Sequence, residues 1–199
     1  CAFGFNALLV NASSSSNNAF GAGSLDSNTG AGNCAFGTNA LAGSTTGTEN
    51  CAFGNSALLT LTTAGGCAAF GTRALTLNTA SNNSAFGIDA LDVNSTGTRN
   101  SALGFNALGA LTTGNDCSAF GFNALLAGTG SENSAFGSGA LDANTSGGQN
   151  AAFGFNALGA TTTGSSNVAI GANAMAATVS ATQSVAIGKD AMLVATAGD

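Results

Sequence analysis

The chain has 199 residues, among them 30 Gly and 13 Phe, with no Pro, His, Trp or Tyr. Its composition, 44% hydrophobic and 6% charged, argues against a disordered chain, which usually needs the opposite balance. A net charge of −6 with only three basic residues disfavours nucleic acid as a partner, because phosphates require clustered Lys and Arg. No apolar run approaches the ~18 residues that span a bilayer, so no membrane insertion is expected within this segment.

One motif recurs from the first residues to the last. The copy centred on Gly54 reads Asn50-Cys51-Ala52-Phe53-Gly54-Asn55-Ser56-Ala57-Leu58. Its Gly returns at 4, 21, 37, 54, 71, 87, 104, 121, 137, 154, 171 and 188, twelve copies at steps of 16 or 17 residues. A fixed period of this kind decides the architecture before any local reading. Residues 1–199 read as a single continuous repeat array. The chain opens in mid-motif at Cys1, without an initiator Met, and is expected to be a processed product or a piece of something longer.

Each copy is numbered from its Gly as position 0. Position −2 is Ala in all twelve copies. Position −1 is Phe in nine, with Leu103, Ile170 and Ile187 in the others. Position +3 is Ala in eleven, Ser24 being the exception, and +4 is Leu in ten, with Met175 and Met192. Position −4 is Asn in eight of the eleven copies that have it.

A coil of this length is too short for a helix pair, which takes roughly 33 residues or more, and fits one rung of a β-solenoid. The pattern predicts two short strands per rung, one over −3 to −1 and a return strand opening at the Ala-Leu pair near +3. Successive strand residues face opposite ways, so Ala at −2 lines a narrow interior while Phe at −1 stacks in an outer column. Gly at 0 permits close backbone approach. Asn, Gly or Asp at +2 suits a left-handed turn. The remaining Thr, Ser, Gly and Asn residues form a solvated edge that absorbs the variation between 16 and 17. No helix is expected, because no apolar period of 3.6 persists.

An Ala-lined coil buries little area. Opposite it stand Phe36, Phe53, Phe70, Phe86, Phe120, Phe136, Phe153, Ile170 and Ile187. Left in water they would form a stripe of the kind that marks an interaction surface. They are the candidate oligomer interface, buried where several chains pack along a common axis. Twelve rungs would make a rod about 55–60 Å long.

The last two copies, Asn167-Val168-Ala169-Ile170-Gly171 and Ser184-Val185-Ala186-Ile187-Gly188, resemble the Asn-Ser-Val-Ala-Ile-Gly motif of the YadA-like head repeat. That repeat belongs to trimeric autotransporter adhesins and related viral and phage fibres. The resemblance covers the whole chain and is strongest in these two copies; in the first ten, Phe largely replaces Ile. It implies a left-handed parallel β-roll, a homotrimer or higher self-assembly, and an extracellular, cell-surface or virion-surface location. It further implies a structural adhesin or fibre segment meeting a host-surface or matrix receptor through multivalent contacts. No catalytic residue and no cofactor comes with it. The repeat is longer here than in the best-known heads, and the Cys residues are unusual. Two other readings stand beside it: a filament subunit stacking end to end, and an ice- or glycan-binding solenoid.

Cys1, Cys34 and Cys51 occupy position −3, and Cys67 and Cys117 occupy −4. Without His or a C-x-x-C pair they do not read as a zinc site. They read as small hydrophobes exchanging with Ser, Ala and Val. The alternative is a staple, either Cys34 to Cys51 or between chains, although side chains rising in parallel make poor disulfide geometry. Asp26, Asp92 and Asp142 share position +5 and read as solvated edge charges, with no converging pair for hydrolysis. The Asn row at −4 reads as a structural ladder, with a carbohydrate-binding row as the alternative. Sequons stand at Asn11, Asn82, Asn94 and Asn144. Thr-Thr pairs such as Thr45-Thr46 and Thr112-Thr113, on only some rungs, carry the ice-binding reading.

Overall fold

Three residues of each copy after the first, positions −3 to −1, and two of the first are extended and pair with the same residues of the neighbouring copies. The structure, a computed structural model, describes residues 1–10 and 14–193. Twelve strands, from β1 (Ala2–Phe3) and β2 (Asn18–Phe20) through β3 (Cys34–Phe36) and β4 (Cys51–Phe53) to β12 (Val185–Ile187), form one parallel sheet in sequence order. The chain is therefore an all-β parallel solenoid of about eleven turns, with no helix among the described residues. Register is strict: Cys34 pairs with Cys51, Ala35 with Ala52 and Phe36 with Phe53. Ala at −2 is buried in β2 to β12, and Phe at −1 lies on the opposite, outer face.

The expected return strand is absent from the described residues. Positions +3 and +4 lie in a turn, and Leu or Met at +4 has positive φ in every copy, 52° at Leu58. A left-handed L-residue costs about 1–2 kcal/mol. Full burial of a Leu side chain stabilises by about 1.5–3 kcal/mol, and Leu58 is fully buried. Burial therefore wins, and the turn keeps the backbone paired. Leu58 N–H donates forward to Ala74 O at 3.0 Å and Thr60 N–H to Thr76 O at 3.0 Å. On the same rung, Gly54 N–H and Ser56 N–H donate backward to Phe36 O and Thr38 O, at 2.8 and 2.9 Å. The ladder thus runs through the turns and needs no second strand. Position +2 is left-handed in all twelve copies, whether Asn, Gly, Ser, Arg or Asp.

The difference between 16 and 17 residues has a local cause. In Thr29-Gly30 and Thr45-Thr46-Gly47 the flanking residues hold equivalent places, and the shorter rung omits one exposed Thr. The short steps follow Gly21, Gly71 and Gly121, so the chain also carries a 50-residue period of three rungs.

Gly at 0 is fixed by contact as well as by φ. A Cβ on Gly37, where φ is 132°, would lie 2.5 Å from the carbonyl oxygen of Gly54. Gly37→Ala should therefore destabilise the roll by about 2–5 kcal/mol in urea unfolding, while the exposed neighbour Thr38→Ala stays within about 0.5 kcal/mol. Equal stability of the two variants would show that rung contact at this Gly is not what holds the coils together.

Candidate interaction face

The roll has a closed interior and one strongly apolar outer face. Inside, Ala at −2 and +3 and Leu at +4 fill one side and Asn fills the other. Outside, the Phe rings at −1 lie over one another. Phe3 to Phe86 form a run of six, with centroid spacings of 4.8 to 5.1 Å and interplanar angles of 2° to 14°. Phe120, Phe136 and Phe153 form a second run at 4.7 and 4.9 Å. Leu103 separates the runs, and a depression of about 160 Å³ opens there between Phe86 and Phe120. Ile170 and Ile187 continue the line to the last rung. Stacking covers the ring faces, yet the edges stay in solvent: Phe53 is still 36% exposed and Ile170 42%. A second, broken aromatic line stands at +1, where Phe105 and Phe122 stack at 5.4 Å and Phe155 is exposed. Phe at +1 in four copies was its signal in the sequence.

The Asn row faces inward. Each amide works in two directions. Asn33 Oδ1 accepts the Asn50 backbone N–H at 3.0 Å, while Asn33 Nδ2 donates to Gly47 O at 2.7 Å. Asn50 and Asn150 repeat the scheme with Cys67 N–H, Ala64 O, Asn167 N–H and Gly164 O. Buried amides in this position serve the fold and are closed to a carbohydrate. Asn94 and Asn144, two of the sequons, are also fully buried, with their Nδ2 groups on Gly97 O and Gly147 O. Asn82 is exposed, and Asn11 lies outside the described residues.

The thiols divide by position. Cys67 and Cys117 are buried in the Asn row and copy the amide: their sulfurs donate to Ala80 O and Gly130 O, both at 3.3 Å. The backbone N–H groups of Asn83 and Asn133 in turn donate to them. Burial nevertheless pushes both thiols above the ordinary range. They are thus more than small hydrophobes. Cys34 and Cys51 are half-buried register partners on the outer face, Cys1 is exposed, and all five are free thiols.

Two further placements correct the sequence reading. Asp26, Asp92 and Asp142 are half-buried, because +5 directly follows the buried Leu. Asp26 Oδ1 is sealed off without a partner, and burial raises the Asp142 pKa. The Thr edge is more regular than the Thr-Thr pairs imply. From Thr29 to Thr162 every rung carries Thr or Ser at +8. Most of these hydroxyls donate along the stack, Thr29 to Thr45 O at 2.7 Å and Thr145 to Thr162 O at 2.9 Å. Arg73 and Arg99 make bidentate pairs with Asp89 and Asp116 on the next rung. Among the described residues no helix is long and apolar enough to cross a membrane, and no three His, Cys, Asp or Glu side chains group as a metal site. Comparison with family models, curated proteins and solved structures finds no match.

Asn50→Ala leaves a buried N–H and a buried carbonyl unpaired, at about 1–3 kcal/mol each. Asn50→Cys should be markedly milder in the same urea titration, because Cys67 and Cys117 already do this work; equal losses would deny the thiol its role. The buried thiols also set an alkaline limit. Their folded pKa values lie above the unfolded value of about 8.5, so the folded state holds the protons longer. Stability should be level below about pH 8 and fall as pH climbs from there toward the folded values. The double variant Cys67→Asn/Cys117→Asn should flatten that fall.

Proposed function

We propose that this chain is a non-enzymatic structural segment, a stiff rod that self-associates through its Phe/Ile face as a homotrimer. The rod serves as part of a surface adhesin or viral fibre, on a cell or virion surface. The observation that carries this reading is the unbroken line of twelve large apolar side chains outside an already packed roll. Side chains of ~200 Å² apiece, about two-fifths exposed, amount to a strip on the order of 900 Å². The largest apolar patch of an ordinary monomer is about 300–600 Å², and a stable interface takes about 800 Å² per partner. The strip therefore has the size of an interface, and its straightness favours chains running side by side.

The YadA-like resemblance points the same way and supplies the trimer. Attachment then rests on many shallow contacts to a host-surface or matrix receptor, multiplied by valency. The Thr file favours a second reading, binding to ice or glycan. That reading is the weaker, because the file's hydroxyl protons are largely spent on carbonyls of the next rung.

Light scattering with electron microscopy tests the reading. Discrete three-chain particles about 55–60 Å long are expected; a monodisperse monomer would sink it, and long uniform filaments would favour end-to-end stacking instead. Phe86→Asp gives a sharper probe. In an isolated roll it removes stacking worth about 0.5–1.5 kcal/mol per ring pair and leaves the fold intact. Within an interface it buries an unpaired charge. The variant should keep its β signature by circular dichroism and become monomeric, and a folded, still-trimeric variant would place the Phe line outside the interface.

A further inference from the structure

We propose that Cys34 and Cys51 form a two-sulfur site for a soft monovalent cation of the Cu(I) or Ag(I) class. The two are register partners on β3 and β4, on the outer face, half-buried and free. Their thiols interact: after the larger effect of burial, Cys34 raises the Cys51 pKa through its charge and a thiol–thiol contact. The inference concerns the single chain, in which the groove beside these residues, lined in part by Phe3, Phe20 and Phe36, is open.

Three features select the ligand. The first is spacing. Adjacent strands hold equivalent atoms about 4.8 Å apart, and two metal–thiolate bonds of about 2.3 Å laid end to end span nearly that distance. A disulfide instead needs Cβ atoms about 3.5–4.5 Å apart and a dihedral near 90°, which side chains rising in parallel do not present. The second is the donor set. Among the described residues no third His, Cys, Asp or Glu joins the pair to complete a tetrahedral shell. Two thiolates alone suit an ion content with two ligands, and thiolates select soft metals. The third is access. Phe36 and Phe53, stacked at 4.8 Å, flank the pair, and Cys34, half-buried, lines a groove of about 310 Å³ shared with Cys1 and Asn18.

Binding is an exchange without redox. Each thiol releases its proton to solvent as its sulfur bonds to the metal, so one ion replaces two protons. Affinity therefore rises with pH, and the cation offsets the repulsion between the two thiolates. Cys67 and Cys117 cannot substitute, since each is buried alone with its sulfur held on a carbonyl.

The test is an anaerobic titration of the reduced full chain with Cu(I) against a bathocuproine chelator, and in parallel with Ag(I). One ion per chain should bind tightly, with an X-ray absorption signature of two sulfur neighbours. Cys34→Ser and Cys51→Ser should each weaken binding more than about 100-fold, since loss of a group behind the ligands alone costs 10–100-fold. Both changes introduce the residue that Ser84 and Ser101 supply at the same position, so the roll is retained. Cys1→Ser and Cys117→Asn should leave binding unchanged. Tight binding that survives in either Cys34→Ser or Cys51→Ser, or one ion for every three chains, would overturn the site.

Discussion

Rung-to-rung backbone hydrogen bonding around the whole circumference is the constraint on which this structure depends. A strand of three residues is too short to hold a sheet by itself. What holds it here is that the pairing continues from the strand through both turns, with donors pointing forward at some positions and backward at others. Neighbouring rungs must then stand one strand spacing apart everywhere, about 4.8 Å. Side chains survive on the inside only if they tolerate that spacing twelve times over. Ala at −2, Gly at 0 and Ala at +3 do so by being small, Leu or Met at +4 by filling the core, and Asn at −4 by bonding to the next rung.

Leu at +4 shows how the constraint overrides local preference. Taken alone, an Ala-Leu pair after a Gly reads as the start of a strand. The left-handed φ of about 50° is unfavourable for Leu, yet it keeps Leu58 N–H on the next rung while the side chain fills the core. The energy that decides the matter is burial, which a local reading of the sequence does not weigh. Much else was legible because it depends on small steric facts. The Ala/Phe alternation gave the inner and outer faces, the Gly column gave the close approach, and the turn residues at +2 gave the left-handed positions. The Cys residues were harder. A thiol in the Asn row looks like an apolar replacement until its sulfur is seen to donate to one rung's carbonyl and accept from the next rung's N–H.

The interior and exterior of the roll answer to different demands. Inward positions vary little because every rung must match its neighbours. Outward positions are free to vary, and most do: position +1 holds Phe, Ala, Thr, Asn, Ile, Ser and Lys. The line at −1 is the exception. It is outward and solvated in the single chain, yet it is Phe, Leu or Ile without a break. Ring stacking within the line accounts for part of this, since each stacked pair stabilises by about 0.5–1.5 kcal/mol beyond its buried area. It does not account for Ile170 and Ile187, which cannot stack as rings and still leave a large apolar side chain in water.

The same distinction separates the thiols. At −4 a Cys stands in for Asn and is constrained from both sides by backbone groups, so its chemistry is muted: burial disfavours the thiolate and the sulfur is already engaged. At −3 the backbone makes no such demand, and Ser, Ala, Val, Asn and Cys all occur there. Two consecutive Cys on β3 and β4 are therefore not required by the roll. Strict register converts a sequence separation of 17 residues into adjacent sulfurs, on a face where one of them lines an open groove. A one-residue shift along the chain thus separates a thiol that completes the hydrogen bonding of the core from one left available for chemistry outside it.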